Sequence, residues 1–407
     1  MTPVAEKRRA VVTGLGAVTP LGLGAATLHE RWADGEVGIA DGAGRCREFE
    51  PKDHLSVKEV RRLDRFSQLM MVAAGEAIEQ AGWGSEPPYE PLRVGCVIAT
   101  GIGGQSTVEA QLGVMRERGA KSVSPLGVPQ YMPNAAAAAV TMKYSLRGQS
   151  YGVVSACASG AHAIGSALRM IQYGDADAVV CGGAEATLTD FAFASFHAMQ
   201  ALSPSGVSRP FDLRRDGFVM GEGAGVLILE DAEAAAARGA TVLGEVAGYG
   251  STTDAFHLTA PEPSGAPAAG AIELALRDAG AVPSQIDYVN AHGTSTQLND
   301  AAETAALKRA LGEEAKRIPI SSTKSAIGHT LGAAGAVEAV ATFRTLITGV
   351  IAPTLGYEVP DPELDLDYVP GESRPLVTGN GHPPLALSNS FAFGGHNVTL
   401  ALRGPAR

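Results

Sequence analysis

The chain runs to 407 residues, 45% hydrophobic and 18% charged, with a formal net charge of −11. That length allows one large core or two fused ones, and an aromatic content of 5% suits helices packed closely on sheets better than an aromatic-filled sandwich. The acidic balance, without a long basic run, argues against a nucleic-acid partner, and no apolar run nears the roughly 20 residues that cross a bilayer, so no membrane is expected.

Residues 1–9 lead straight into a β-rich run at 10–13, with no apolar signal-peptide region, which makes the cytoplasm the simplest location. Lys58, Arg61, Arg62 and Arg65 cluster at the start of the clearest helix, 64–81, whose apolar residues recur at helical spacing until Gly82 stops it. Further β-rich runs at 93–100, 151–155, 178–182, 225–230, 287–290, 385–390 and 397–402 alternate with Ala-rich helical stretches. That alternation predicts an α/β fold of parallel sheets and crossover helices.

The pattern is stated twice. Residues 93–101 and 286–293 each read as a strand ending in a Gly-bearing loop, with a helix after it. Later in each half, Ser155-Ala156-Cys157-Ala158-Ser159-Gly160 and Lys324-Ser325-Ala326-Ile327-Gly328-His329 each open an Ala-rich stretch, ending near Gly174 and Gly349. Two copies of one unit, dividing near Gly250 into 1–250 and 251–407, account for this. Strand C-terminal ends in such a fold face a shared crevice where ligands bind, and Cys157, His292 and His329 all fall at such ends.

The four cysteines, Cys46, Cys96, Cys157 and Cys181, have neither CxxC pairing nor metal-type spacing and read as reduced thiols. Cys96 and Cys181 sit in apolar runs and read as packing. Cys157 stands where an apolar run turns into a helix, whose free N–H groups and about half a positive charge favour thiolate and can hold an oxyanion. Its plain alternative is a buried small hydrophobe. His292 follows a strand in Asn290-Ala291-His292-Gly293-Thr294-Ser295-Thr296, and His329 sits in the polar loop that also holds Lys324. One thiol with two imidazoles suggests acyl transfer through a thioester, a neutral Nε2–H being able to stabilise an enolate. Zinc competes as a reading, although none of the three residues belongs to a tight ligand pair.

These motifs, with Gly328-His329-Thr330-Leu331-Gly332-Ala333-Ala334-Gly335 and Asn389-Ser390-Phe391-Ala392-Phe393-Gly394-Gly395, resemble the β-ketoacyl-acyl carrier protein synthases over essentially the whole chain. The Cys-His-His set is similar to the elongating synthase II type. The resemblance implies a thiolase-like fold, its duplicated α/β halves stacked as a five-layer α-β-α-β-α sandwich, usually a homodimer. It implies that Cys157 takes an acyl chain from acyl carrier protein, with the oxyanion on the N–H groups of Cys157 and Phe393. His292 and His329 would then stabilise the carbanion formed when malonyl-carrier protein loses carbon dioxide. Lys324 would hold the electrostatic state of His329 and nearby carboxylates, and Glu338 the loop architecture, beside a structural monovalent cation in some relatives.

By the same resemblance Phe393 is a gate, Asp254 belongs to a second mobile loop facing it, Thr294 and Thr296 bind the phosphopantetheine arm, and Ile102 and Phe196 line the acyl pocket. Lys58, Arg61, Arg62 and Arg65 form the dock for the acidic carrier. No metal, ATP or redox cofactor is implied. The alternative is a ketosynthase subunit of a dissociated polyketide or polyene pathway, paired with a cysteine-free sister subunit. Two departures from the family pattern stand out: Ala392, where a methyl group would strain a left-handed gate residue, and Gly127, where loss of a bulky residue would widen the pocket at the dimer interface.

Overall fold

The computed structural model describes residues 7–379 and 381–405; residues 1–6 of the N-terminal reading lie outside them. In the first part of the chain, β1 (Ala10–Thr19), β2 (Val94–Ala99), β3 (Ser150–Val153), β4 (Ala178–Glu185) and β5 (Gly223–Asp231) stand side by side in the order β3-β2-β4-β5-β1. In the second part, β6 (Gly244–Thr253), β7 (Tyr288–Asn290), β8 (Ile320–Ser321), β9 (Leu385–Ala392) and β10 (His396–Arg403) stand in the order β8-β7-β9-β10-β6.

Counted within each part, the two orders are identical. The directions repeat as well: β2 runs parallel to β3 and β4, β7 parallel to β8 and β9, and the remaining neighbours within each part are antiparallel. Even the irregularity recurs, since β1 shifts register between Val12 and Gly14 and β6 between Val246 and Gly248. The parts meet where β1 pairs antiparallel with β6, making one 11-stranded sheet that includes the short Gly22–Leu23 pairing on β1. Gly250 therefore lies inside β6, and the repeat restarts at Gly244, ahead of the division expected from sequence.

Helices supply the other layers. On the outer face of the first part lie α1 (Arg65–Gln80) and α2 (Ala135–Tyr144); α3 (Ser159–Gln172) lies inside. On the outer face of the second part lie α4 (Ala266–Asp278) and α5 (Gln297–Leu311), while α6 (Ala334–Thr348) joins α3 in the middle. Both α3 and α6 touch strands of both parts, which produces the expected α-β-α-β-α order. A helix buried on every side must be apolar all round. Accordingly, α6 places Val337, Ala339, Val340, Ala341, Phe343 and Leu346 in the core.

Small residues set the layer spacing. A Cβ on Gly160 of α3 would meet Ala336 N at 2.6 Å, and one on Gly335 of α6 would meet Ala161 N at 2.7 Å. The two inner helices thus approach backbone to backbone, and their N-terminal ends converge. Asp64 proves to be the N-cap of α1, accepting from Phe66 N at 3.3 Å, so the helix begins one residue later than expected. Lys58, Arg61 and Arg62 occupy a separate short helix, Val57–Arg62, closed by a Ser56–Glu59 capping box.

Candidate active site

Cys157 lies between β3 and α3, in a turn that only a strained backbone can make. Ala156 takes φ 50°, a left-handed conformation that costs a non-glycine residue about 1–2 kcal/mol. Ser159 holds that turn from below: its Oγ accepts Ser155 N–H at 2.8 Å and donates to Ala156 O at 2.6 Å. The result is a thiol that is only 8% exposed and lines a cavity of about 620 Å³.

The thiolate expected from the helix start is not the resting form. Burial pushes the Cys157 thiol up to about 11, against the opposing charge of Lys324 and the N–H that Phe393 donates to the sulfur. Alkylation of Cys157 by iodoacetamide should therefore rise about tenfold per pH unit between about pH 7 and 9, because the thiolate fraction does. A rate already on a plateau at neutral pH would show a thiolate and reject the assignment.

His292 follows β7 and His329 follows the short helix Lys324–Ile327; both are buried, with ring centroids 5.4 Å apart and planes at 82°. Their tautomers follow from what occupies each Nδ1. At His329, Nδ1 accepts Leu331 N–H at 3.2 Å; at His292, it accepts from Lys324 Nζ at 3.2 Å. The proton of each neutral ring is then on Nε2. Burial first, and then the Lys324 charge, pushes both imidazoles well below their ordinary value, with each other's proximity adding to the effect at His292. Both therefore offer an Nε2–H, an arrangement suited to donating to developing negative charge rather than to abstracting a proton.

Lys324 and Glu338 stand behind the cavity rather than in its wall. Lys324 Nζ donates to His292 O at 2.6 Å and pairs with Glu338 Oε1; the other carboxylate oxygen, Oε2, has no partner. Glu338 is itself buried on the inner helix α6, which excludes a surface role. Sequence reading missed two acids that brace the same loop. Glu303 accepts His292 N–H at 2.8 Å and Gly293 N–H at 2.7 Å, while Asp300 accepts Thr294 N–H at 3.0 Å. The available signal was the spacing of the two acids, three apart on one face of α5. Phe218, also missed, lies edge-on to His329 with centroids 5.4 Å apart.

Ile102, Phe196, Asp254, Thr294, Thr296 and Phe393 line the same cavity as Cys157 and the two histidines. Thr294 and Thr296 share a hydroxyl bond of 2.9 Å, and Thr296 caps α5 through Asn299 N–H. The loops of Asp254 and Phe393 are latched together: Asp254 N donates to Gly395 O and Gly394 N to Leu258 O, each at 2.8 Å. Asp254 Oδ1 also accepts from Asn397 Nδ2 at 2.6 Å.

Two expectations are corrected. Ala392 ends β9 outside the left-handed region, which Gly394 and Gly395 occupy with φ of 82° and 74°, so its methyl group strains nothing. Gly127 opens the short helix Gly127–Tyr131, and the role expected for its position, at a dimer interface, involves a second copy. Arg65 is no docking residue: its guanidinium makes two 2.7 Å bonds to Glu222 and lies over the Phe49 ring, whereas Lys58, Arg61 and Arg62 are exposed.

Comparison with known proteins agrees with this geometry. Residues 46–235 match the β-ketoacyl synthase N-terminal domain and residues 243–358 the C-terminal domain, a boundary just before β6. The chain is 45% identical to 3-oxoacyl-[acyl-carrier-protein] synthase 2 of Synechocystis, covering 98% of each chain. Among solved structures it is similar to a type II PKS ketosynthase in complex with its acyl-carrier protein and bound to the hexaketide (TM-score 0.90, 33% identity, covering 98% of this chain and 100% of that one). It is also similar to the ishigamide ketosynthase/chain length factor (TM-score 0.88, 32% identity, covering 98% and 100%). With both domains matched in order and the thiol and two imidazoles in one cavity, the chain belongs to the β-ketoacyl synthase family.

Proposed function

We propose that the protein elongates fatty acyl chains by two carbons through a thioester on Cys157. The observation that carries this reading is one buried thiol sharing a cavity with two neutral Nε2–H imidazoles. In the first step the Cys157 sulfur bonds to the acyl carbon, the bond to the phosphopantetheine sulfur breaks, and that sulfur leaves with the thiol proton. The acyl oxygen rests on the N–H groups of Cys157 and Phe393; the second of these leaves the sulfur when the gate loop shifts.

In the second step malonyl-carrier protein loses carbon dioxide, and the electron pair of the broken C–C bond enters an enolate whose oxygen the two Nε2–H groups hold. The carbanion attacks the acyl carbon, the Cys157 S–C bond breaks, and the departing thiolate takes a proton from solvent water. Ile102 and Phe196 house the acyl chain, while Thr294 and Thr296 receive the phosphopantetheine arm. Phe393 and Asp254 move as a gate.

His292→Ala tests the assignment. Carbon dioxide release from malonyl-carrier protein should fall by about 10²–10⁴-fold while acylation of Cys157, read by intact mass, stays within a few-fold. Equal losses in both steps would overturn it. The higher identity to the Synechocystis synthase than to the two ketosynthases favours fatty acyl substrates, and a polyketide ketosynthase paired with a cysteine-free sister subunit is the second reading.

Acyl carrier protein is the proposed partner, docking on exposed Lys58, Arg61 and Arg62. Reversing charge at Arg61 and Arg62 together should raise KM for carrier-bound substrate about tenfold at low salt, and less at high salt, without changing kcat. An unchanged KM would remove the patch from consideration. A homodimer is favoured by β3, which ends the sheet with Tyr151 and neighbouring Val154 exposed, an unpaired edge that a second copy can cover. No described helix is long and apolar enough to cross a membrane; the cytoplasm is the proposed location.

Carrier-bound substrates need no redox cofactor or ATP for this sequence of steps. A monovalent cation fits beside Glu338: its Oε2, Asn290 Oδ1 and Ser388 Oγ are buried without partners, and Asn290 pairs with Ser388 across β7 and β9. These oxygens would hold the ion and so fix α6 against the sheet. Among the described residues no group of three or more His, Cys, Asp or Glu is placed to hold a metal ion.

A further inference from the structure

Glu185 ends β4 with no solvent exposure, in neither the cavity wall nor an ion pair. Its carboxylate is nevertheless the meeting point of two loops that belong to different parts of the chain. From the first part, Thr100 Oγ1 donates to Oε1 at 3.0 Å, Gly101 N to Oε2 at 2.6 Å and Ile102 N to Oε1 at 3.4 Å. From the second part, Gly332 N donates to Oε2 at 3.1 Å. The two loops touch directly there, because a Cβ on Gly332 would lie 1.9 Å from Gly101 N.

At one end the bonded residues themselves face the cavity, and at the other Gly332 lies three residues after His329. On one side Gly101 and Ile102 form the wall of the acyl cavity. On the other, Leu331 precedes Gly332 and gives its N–H to Nδ1 of His329, the bond that puts the His329 proton on Nε2. Shared oxygen Oε2 therefore sits between the acyl wall and the loop that fixes the His329 tautomer.

We propose that Glu185 is a positioning residue: it locks the His329 loop of the second part to the acyl-cavity wall of the first, and thereby aims His329 for decarboxylation. The inference rests on the condensing reading given above. An amide cannot reproduce the lock, since its NH2 would face an N–H donor at one end. The negative charge has a separate effect, because it is among the influences that raise the Cys157 thiol, opposing Lys324. Burial, partly offset by the four hydrogen bonds, brings Glu185 itself up to about 7, so the charge is present at pH 8.

Glu185→Gln in the full chain should lower carbon dioxide release from malonyl-carrier protein about tenfold, the cost of a lost charge-assisted bond, through kcat with little change in KM. At pH 8 the same variant should alkylate faster at Cys157 than the wild type, a change a merely loosened fold would not single out. Thr100→Val, isosteric and still charged at Glu185, should cost decarboxylation about threefold and leave the alkylation rate unchanged. If the glutamine variant does not fold, the valine variant decides by the same two measurements. Decarboxylation at the wild-type rate, or equal losses in acylation and decarboxylation, would overturn the positioning role. A wild-type protein that releases no carbon dioxide would instead overturn the condensing reading on which it rests.

Discussion

Cys157→Ala should abolish condensation, with turnover reduced by about 10⁴-fold or more, while the protein stays folded within about 1 kcal/mol of the wild type. The size of the loss follows from the absence of a substitute. Cys46, Cys96 and Cys181 are buried in the core and do not line the cavity, so no other described thiol can take the acyl group. The small stability cost follows from where the sulfur sits: it faces a cavity rather than packed side chains, so removing it opens little new empty space. Release of carbon dioxide from malonyl-carrier protein should persist, since both imidazoles keep their Nε2 protons. Intact mass after incubation with acyl-carrier protein should show no added acyl group; condensed product at even a hundredth of the wild-type rate would remove Cys157 from the mechanism.

Lys324→Met is expected to be the most destabilising change in the site, by about 3–5 kcal/mol, because it strands a buried carboxylate. Lys324 is 1% exposed and pairs with Glu338, whose second oxygen already has no partner. The same substitution frees His292 Nδ1, so the ring can place its proton on either nitrogen and decarboxylation should fall with stability. The double variant Lys324→Met with Glu338→Leu separates these effects. It should recover most of the lost stability in urea unfolding, since an apolar pair replaces a buried ion pair at little cost, but none of the lost decarboxylation. A single variant as stable as the wild type would mean that the pair carries no such energy.

The parts of this site that sequence revealed are those whose chemistry is written locally. A thiol at a strand-to-helix turn and a histidine after a strand each occupy a few consecutive residues, and Ala156 with Ser159 builds the turn from immediate neighbours. Arg65 was misread because its partner, Glu222, lies 157 positions away, and nothing near Arg65 announces that its charge is already spent. The state of the Cys157 thiol was misread for a related reason. A helix N-terminus can be seen in sequence, whereas the burial that outweighs it depends on elements from both parts of the chain. β1 extends well past residue 13 because Gly14 and Gly16, which look like breaks, are where α1 presses onto the strand: a Cβ at either would come within 2.0 Å of a helix carbonyl oxygen. The repeat was legible, but its boundary was not, since β6 is continuous through Gly250.

The two inner helices have a consequence for how such a chain can be inherited. Cys157 precedes α3 in the first part, and His329 precedes α6 in the second, yet each helix is enclosed by strands of both. Neither half could have been shed, or exchanged for a distant relative's, without unsealing the inner layer and parting the nucleophile from its proton donors. The outer loops and helices are free of that constraint, and the two similar parts form a division of labour that neither can leave.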